Sequence, residues 1–295
     1  MTRKHLKSLF RFFLNNKKKT THTQIGSFQM LINNDHALPY YLKFLPHYSK
    51  NFPRIAGHVN KKHSDLVILD IGANIGDTVA LVRSEINCPI ICIEGDSYFF
   101  SILKKNIEQF IQVIPFQIFL GDSSKTITGK TECNRGTLKI TEKNTVENSE
   151  KIEITTLDNF FFQHKDINKA KLLKIDTDGY DLKIIRGGLK YINETKPIIF
   201  FEYDTTLLSE ANDDGLSTLD LLDKIGYSSA LFYDNYGRLI LSTTLQNKEQ
   251  VEQMHNYIKK GNGAFPYFDI CLFHKIDTNL AEEVIRNEME YFKNI

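Results

Sequence analysis

Several acidic residues follow directly after short, mainly apolar runs of the sequence. Three such positions occur along the chain: Asp70 after residues 66–69, Asp176 and Asp178 after residues 171–175, and Glu202 and Asp204 after residues 197–201. Runs of this length and composition are typical of buried parallel strands. Because open α/β sheets bind ligands at the carboxyl ends of their strands, the pattern predicts a cluster of carboxylates at a functional edge of the sheet.

The segment after Asp70 predicts a strand, a glycine-containing turn and a helix, the opening unit of nucleotide-binding α/β sheets. Gly72 allows a sharp turn and close approach of a ligand to the backbone, and Gly76 allows close packing of the helix on the strand. The dinucleotide fingerprint has a glycine where this chain has Asn74. This side chain and the charge of Asp70 disfavour a diphosphate and suit a cationic adenosine ligand, which predicts S-adenosylmethionine. The competing interpretation is a tight turn in some other α/β domain.

Two further acidic residues are candidates for contacts with the cofactor. Glu94 ends the apolar run 89–93, about 20 residues beyond the glycine turn, where a ribose-binding carboxylate is expected; the alternative is a surface residue that caps the next helix. Residues 112–120 are predicted to form a strand, and Asp122 just after it would bind the exocyclic amine of adenine or serve only as a turn residue. The residues predicted to surround the cofactor are Asp70, Gly72, Ala73, Asn74, Gly76, Asp77, Thr78, Glu94, Gly95, Asp122 and Asp176.

Transfer of the methyl group of S-adenosylmethionine needs in-line positioning of the reacting atoms, and an acceptor that loses a proton also needs a base. The candidates for this base are Asp176, Asp178, Glu202 and His274. Histidine has the best-suited unperturbed pKa, although a lone histidine after a strand is more often structural. Alternatively, the carboxylates could hold Mg²⁺ and polarise a sugar diol, with Asp176 and Glu202 as the predicted metal ligands.

The elements that position these residues alternate between apolar strands and amphipathic helices, which predicts a Rossmann-like, mostly parallel α/β sheet with helices on both faces. Polar residues 123–150 interrupt the alternation and predict a hairpin excursion. Residues 38–47 are rich in aromatic side chains and are expected to pack on the main domain. In the absence of repeats and low-complexity linkers, we divide the chain into a lead-in, residues 1–63, and one catalytic domain, residues 64–295.

The composition of the 295 residues is that of an ordinary globular protein, with 41% hydrophobic and 25% charged residues. The net charge of +1 creates no global field that would recruit nucleic acid. Residues 1–19 are basic and are interpreted either as a solvated, partly docked helix or as an amphipathic helix that contacts anionic lipid. Because the chain lacks C-x-x-C pairs and long apolar runs, we predict a cytoplasmic protein with at most peripheral membrane contact.

Four segments resemble the FkbM-type family of class I S-adenosylmethionine-dependent methyltransferases. They are residues 69–77 (LDIGANIGD), the strand that ends at Glu94, residues 173–179 (LKIDTDG) and residues 267–270 (YFDI). The family usually has Glu where this chain has Asp178, and a small residue where it has Tyr180. The resemblance covers residues 64–275 and implies a seven-stranded sheet whose last strand is antiparallel. It also implies O-methylation, often of a sugar hydroxyl on a glycan, polyketide or other secondary product.

Two rival functions stay open on the sequence. A nucleic-acid methyltransferase would use the basic N-terminus and bind RNA or DNA with a strong salt dependence. The near-neutral charge and the lack of an Asn-Pro-Pro-Tyr-like base-flipping loop weigh against this function. A catalytically silent α/β protein would bind the cofactor without transferring a methyl group to any acceptor. The preferred prediction is a small-molecule or glycan hydroxyl acceptor, without a nucleic-acid partner.

Overall fold

A computed structural model describes residues 19–134, 137–142, 150–165, 170–259 and 265–294. The predicted basic helix over residues 1–19 therefore lies almost entirely outside the described residues. Within these ranges, no helix is both long enough and apolar enough to cross a membrane.

The described residues form alternating strands and helices, as the sequence pattern predicts. The strands are β1 Thr20–Ile25, β2 Phe28–Asn33, β3 Val67–Ile71, β4 Ile90–Ile93, β5 Val113–Phe116, β6 Phe119–Gly121, β7 Lys125–Asn134, β8 Thr137–Glu142, β9 Glu150–Thr156, β10 Ala170–Ile175, β11 Ile198–Tyr203, β12 Tyr227–Asp234, β13 Leu239–Thr244 and β14 Phe268–His274. The α-helices are α1 Leu38–Phe44, α2 Asn51–Lys62, α3 Asp77–Arg83, α4 Ser97–Ile107, α5 Leu157–Gln163, α6 Asp181–Gly187, α7 Leu189–Thr195, α8 Thr205–Glu210, α9 Leu216–Lys224, α10 Lys248–Lys259 and α11 Thr278–Lys293.

The central sheet has the strand order β13-β12-β14-β11-β10-β3-β4-β5. Strands β5, β4, β3, β10 and β11 run parallel, whereas β14 is antiparallel to both of its neighbours. The predicted α/β class and the antiparallel last strand are therefore confirmed. The strand number is eight rather than seven, because a turn after Asp234 returns the chain and pairs β13 with β12 at the sheet edge. Asp234 stabilises this turn by accepting hydrogen bonds from the N–H groups of Tyr236 and Arg238.

The topological switch point lies between β3 and β10, which are neighbours in the sheet but distant in sequence. From β3 the chain builds outward through β4 to β5, and it then returns to place β10 on the other side of β3. The turns after β3 and β10 consequently face each other across one edge of the sheet. This crevice is the position at which open α/β sheets bind their ligands.

A second, four-stranded sheet has the order β6-β9-β7-β8. The apolar segment predicted as one strand over residues 112–120 is divided between the two sheets, with β5 in the central sheet and β6 paired in parallel with β9. The predicted hairpin excursion is seen as the antiparallel pair β7 and β8. The part of this excursion at residues 143–149 lies outside the described residues.

The lead-in shares its core with the sheet. Phe52, Ile55 and Val59 of α2 are buried in the same apolar cluster as Ile68 of β3 and Val82 of α3. The sequence analysis did not anticipate α2. The division of the chain at residues 63 and 64 stays a prediction, since the core is continuous across it.

Candidate active site

The turn between β3 and α3 has an unusual backbone conformation that depends on glycine. Gly72, Asn74 and Gly76 all adopt positive φ angles, of 81°, 48° and 86°. A Cβ atom built on Gly72 would lie 1.8 Å from the backbone oxygen of Asp176. Any side chain at position 72 would therefore force apart the two turns that form the crevice.

Glu94 joins the first turn to the turn after β4. The N–H of Asn74 donates to Glu94 Oε2 at 2.9 Å, and the N–H of Asp96 donates to Oε1 at 2.7 Å. Burial raises the pKa of the Glu94 carboxyl to about 7. Each oxygen keeps a further lone pair for a ligand hydroxyl, since a carboxylate has about four acceptor positions. The ribose-binding role of Glu94 stays a prediction, and the structure adds a structural role to it.

A cleft runs along this edge beside Glu94 and is lined by both polar and apolar residues. The polar residues include Asn74, Glu94, Asp176, Thr177 and Asp178, together with Gly72 and Gly95. The aliphatic and phenylalanine side chains are those of Ile71, Ile93, Phe99, Ile118, Phe119, Leu120 and Ile184. The apolar side chains suit an adenine ring, and the carboxylate of Glu94 suits the ribose diol. The side chains present therefore fit S-adenosylmethionine.

We predict that Glu94→Gln weakens the binding of S-adenosylmethionine by about 10- to 100-fold, because a hydrogen bond to a charged acceptor contributes about 1.5–3 kcal/mol. Calorimetric titration of the folded variant measures this change. Asp122→Asn is the matched control, since Asp122 lies outside the cleft lining, and its affinity should equal that of the wild type. Unchanged affinity in Glu94→Gln would show that Glu94 has only its structural role.

The remaining predicted cofactor residues lie at different distances from the cleft. Asp77 and Thr78 line the adjoining cavity rather than the cleft, and Ala73 and Gly76 are buried in the turn. The prediction that Asp122 binds adenine does not fit its position. Its carboxylate lies 3.8 Å from the guanidinium of Arg186 and is 39% exposed, because β6 has already left the central sheet at this point.

Asp70 does not line the cleft, although its charge was expected to select against a diphosphate there. Its side chain is fully buried and lies 3.6 Å from the Nζ of Lys174, which is also 3.0 Å from Asp176 Oδ2. Burial raises the pKa of Asp70 to about 6, while Lys174 opposes the shift. Burial lowers the pKa of Lys174, but the carboxylates of Asp176 and Asp70 raise it by more. The net shift is upward, so Lys174 stays protonated. The charge of Asp70 is thus compensated within the protein.

A second cavity of about 640 Å³ adjoins the cofactor cleft, and we call it the acceptor cavity. Four residues border both spaces: Gly72, Asn74, Asp176 and Asp178. Its outer wall comes from the lead-in, through side chains that include Leu38, Tyr41, Tyr48 and Phe52. The aromatic segment predicted to pack on the main domain therefore closes one side of this cavity.

Carboxylates from three neighbouring strands line the acceptor cavity. Asp176 follows β10, Glu202 lies on β11, and Asp269 lies on β14 directly opposite Glu202. The side-chain amide of Asn51 donates to Asp269 Oδ2 at 2.8 Å. The sequence analysis did not include Asp269 among the candidate residues. The expected antiparallel direction of the last strand could have identified Asp269, because such a strand has its first residues, rather than its last, at the functional edge.

Because β14 is antiparallel, His274 lies too far from the acceptor cavity to be the base that accepts the hydroxyl proton. His274 ends β14, and the antiparallel pairing carries this end to the opposite edge of the sheet. Its Nε2 lies 3.1 Å from the backbone oxygen of Ile225, and its Nδ1 accepts from the N–H of Ile276. Asp204 borders the cavity, but its side chain caps α8 by accepting from the N–H groups of Thr206 and Leu207.

The predicted magnesium site gains no support from the arrangement of ligands. Across the described ranges, no group of three or more His, Cys, Asp or Glu side chains could hold a metal ion. Of the two predicted ligands, Asp176 is already paired with the ammonium of Lys174 at 3.0 Å.

Asp269 is expected to make the stability of the protein depend on pH. Burial raises its pKa from an ordinary value of 3.8 to about 7, despite the hydrogen bond from Asn51. Between these values the folded state binds more protons than the unfolded state, so the free energy of unfolding falls as the pH rises. In Asp269→Asn this contribution is absent. We predict that the free energy of unfolding of the variant rises relative to that of the wild type by up to about 1.4 kcal/mol per pH unit between pH 4 and 7.

Urea denaturation at several pH values measures this difference. The surface variant Glu283→Gln serves as the control for loss of one negative charge, and it should show no comparable trend. A constant difference between Asp269→Asn and the wild type across this range would contradict the prediction.

The model of the methyltransferase FkbM domain matches residues 70–229, which is more than half of the chain. A solved FkbM methyltransferase from Methylobacillus flagellatus KT is 16% identical, with a TM-score of 0.38, and the match covers 57% of this chain and 40% of that chain. The present chain thus spans less than half of the length of that structure.

Two solved TYW2 structures are also similar. TYW2 of M. jannaschii in complex with AdoMet is 11% identical, with a TM-score of 0.39 and 88% of each chain covered. TYW2 of P. horikoshii in complex with MeSAdo is 13% identical, with a TM-score of 0.41, covering 91% of this chain and 82% of that chain. No curated protein matches the sequence significantly. On the match over residues 70–229, which is more than half of the chain, the chain belongs to the FkbM methyltransferase family.

Proposed function

We propose that the enzyme methylates a hydroxyl oxygen of a sugar, a glycan or a secondary metabolite. The observation that carries this proposal is the junction of the cofactor cleft and the acceptor cavity at Asp176 and Asp178. S-adenosylmethionine, when bound, supplies a reactive methyl group on a positively charged sulfur. A hydroxyl placed at the junction would have a carboxylate within reach that can accept its proton.

Asp176 is the preferred base because it borders both spaces. Its side chain is 47% exposed, and Lys174 holds one of its oxygens at 3.0 Å. This contact limits the rotation of the carboxylate and leaves the other oxygen available to the acceptor. Such positioning matters because most of the barrier reduction in a transfer from an activated donor comes from holding the reacting atoms in line.

The acceptor cavity has the size and lining of a site for a polar molecule. Its volume of about 640 Å³ lies within the range of about 300–1,000 Å³ that is usual for ligand sites. Carboxylates accept hydrogen bonds from the hydroxyl groups of a polyol, and tyrosines such as Tyr48 and Tyr267 add ring surface and hydroxyl groups. The same carboxylates would repel the phosphates of RNA or DNA.

The proposal is tested by incubating the enzyme with methyl-labelled S-adenosylmethionine and panels of sugars, glycans, polyhydroxylated metabolites, RNA and protein. We expect label on a hydroxyl oxygen, located by mass spectrometry and NMR. Label only on a nucleic acid or a protein would contradict the proposal. Calorimetric titration with S-adenosylmethionine, S-adenosylhomocysteine and NAD checks the cofactor independently, and a silent protein would bind the first two without turnover on any acceptor.

We also propose that residues 1–63 act as a lead-in to a catalytic domain over residues 64–295 in a cytoplasmic protein, with residues 1–19 as a solvated, partly docked helix; contact of residues 1–19 with anionic lipid is the alternative. Co-sedimentation with anionic vesicles, for the intact chain and for a variant lacking residues 1–19, tests the lipid contact. No binding by the intact chain, or equal binding by both, would contradict it.

A further inference from the structure

Among the described residues, the lining of the acceptor cavity contains more carboxyl groups than basic side chains. The carboxyl groups belong to Asp77, Asp176, Asp178, Glu202, Asp204 and Asp269. Lys174, the one lysine in the described part of this lining, already lies between Asp176 and the buried Asp70. Burial lowers the pKa of His36, which lines the same cavity, and favours its neutral form.

Glu202 and Asp269 are the least compensated members of this set. They are direct partners across the antiparallel pair β11 and β14, so their Cβ atoms are about 5 Å apart. Like charges in directly opposite positions destabilise a sheet. Among the described residues Glu202 has no hydrogen-bond or ion-pair partner, and Asp269 has only the amide of Asn51. Burial and the carboxylate of Asp176 raise the pKa of Glu202, which reports the same absence of a compensating cation.

Aromatic side chains line the same cavity as this carboxylate pair. They include Tyr41, Tyr48, Phe52, Phe200 and Tyr267. Aromatic faces attract cations, and the attraction is stronger where water is excluded. A ligand cation in this cavity would therefore have two carboxylates on adjacent strands and several aromatic rings available to it. A phosphate, sulfate or carboxylate group would meet repulsion from the same residues.

We propose that the acceptor is a hydroxyl compound that also carries a protonated amine, such as an amino sugar or an amino alcohol, and that Glu202 and Asp269 hold its ammonium group. This inference rests on the proposed function and specifies the class of its acceptor. Holding the ammonium at Glu202 and Asp269 leaves Asp176, on the neighbouring strand, free to receive the hydroxyl proton. The contacts with the ammonium would thus orient the acceptor, and Asp176 would accept the hydroxyl proton.

The test compares acceptors that carry a charged nitrogen with counterparts in which N-acetylation has removed the charge. Kanamycin and glucosamine, each with its fully N-acetylated counterpart, are titrated calorimetrically into the intact chain saturated with S-adenosylhomocysteine. We expect at least one amine to bind about tenfold or more tightly than its acetylated counterpart, as expected for a charge-assisted contact. Glu202→Gln should remove most of this difference. Glu283→Gln, which removes a carboxylate near the surface Lys62, should keep it.

The outcomes separate this inference from the proposed function. Equal binding of both members of both pairs would overturn the inference, and so would an amine preference that survives in Glu202→Gln. Binding of Mg²⁺ alone that requires Glu202 would also overturn it in favour of a metal site. Methyl transfer to neutral hydroxyl compounds without any amine preference would leave the proposed function intact. Glu202-dependent binding of kanamycin without methylation of any hydroxyl compound would instead contradict the proposed function.

Discussion

Asp176→Asn is expected to lower kcat by about 10²- to 10⁴-fold, the usual contribution of a positioned general base. Asn has nearly the same shape as Asp but cannot accept the hydroxyl proton. We expect the affinity for S-adenosylmethionine to change much less than kcat, because Glu94 and the apolar residues of the cleft are unchanged in this variant. Single-turnover kinetics with an acceptor from the panel, together with calorimetric titration of the cofactor, separates the two effects.

Asp204→Asn is the matched control for this variant. Asp204 lines the same cavity but caps α8, and Asn is an equally good helix cap. Its kcat should stay near that of the wild type. Normal turnover in Asp176→Asn would exclude Asp176 as the base and direct the search to Asp178 and Glu202. Treatment with EDTA tests the magnesium prediction in parallel, since activity that survives EDTA and does not respond to added Mg²⁺ would contradict it.

Arg54→Met is expected to destabilise the fold by about 3–5 kcal/mol, because it leaves a buried carboxylate without its partner. Arg54 of α2 donates to both oxygens of Glu288 of α11 at 2.8 Å, and the Glu288 side chain is 1% exposed. The guanidinium also lies 4.3 Å from the ring centre of Tyr291. The loss is measured as the free energy of unfolding in urea.

The same two helices provide the control for this prediction. Lys62 of α2 and Glu283 of α11 form an exposed pair at 3.5 Å, and Lys62→Met should cost less than about 1 kcal/mol. The double variant Arg54→Met/Glu288→Met should recover part of the stability lost in Arg54→Met, because it removes the unpaired charge. Equal losses of stability in Arg54→Met and Lys62→Met would show that the buried pair contributes no more than the exposed pair.

This ion pair also bears on the acceptor cavity. Asn51, which donates to Asp269, begins the helix that Arg54 fastens to α11. A loosened α2 would therefore release one partner of Asp269 and the side chains of the lead-in that wall the cavity. We expect Arg54→Met to weaken acceptor binding even at temperatures where the protein remains folded.

Part of the candidate cofactor cleft was predictable from the sequence, because its signals are local. An apolar run, a turn with Gly72 and Asn74, and a carboxylate about 20 residues further on lie within one strand, turn, helix and strand unit. The placement of a side chain differed from the expectation where a local signal depended on a distant partner. Asp122 follows an apolar segment that divides between two sheets, and the side chain consequently pairs with Arg186. Asp70 lies at the predicted strand end, but its charge faces Lys174 on a strand that is distant in sequence.

The acceptor half depended on the tertiary structure. The amino-acid sequence by itself determined the α/β alternation, the glycine turn and the carboxylates that follow β3, β10 and β11, since each is specified by neighbouring residues. The tertiary structure placed Asp269 at the cavity and His274 at the opposite edge, because β14 runs antiparallel to its neighbours and its first residues therefore meet the site. It also decided that α1 and α2 wall the cavity, since their contacts with the sheet join residues far apart in the chain and leave no local pattern.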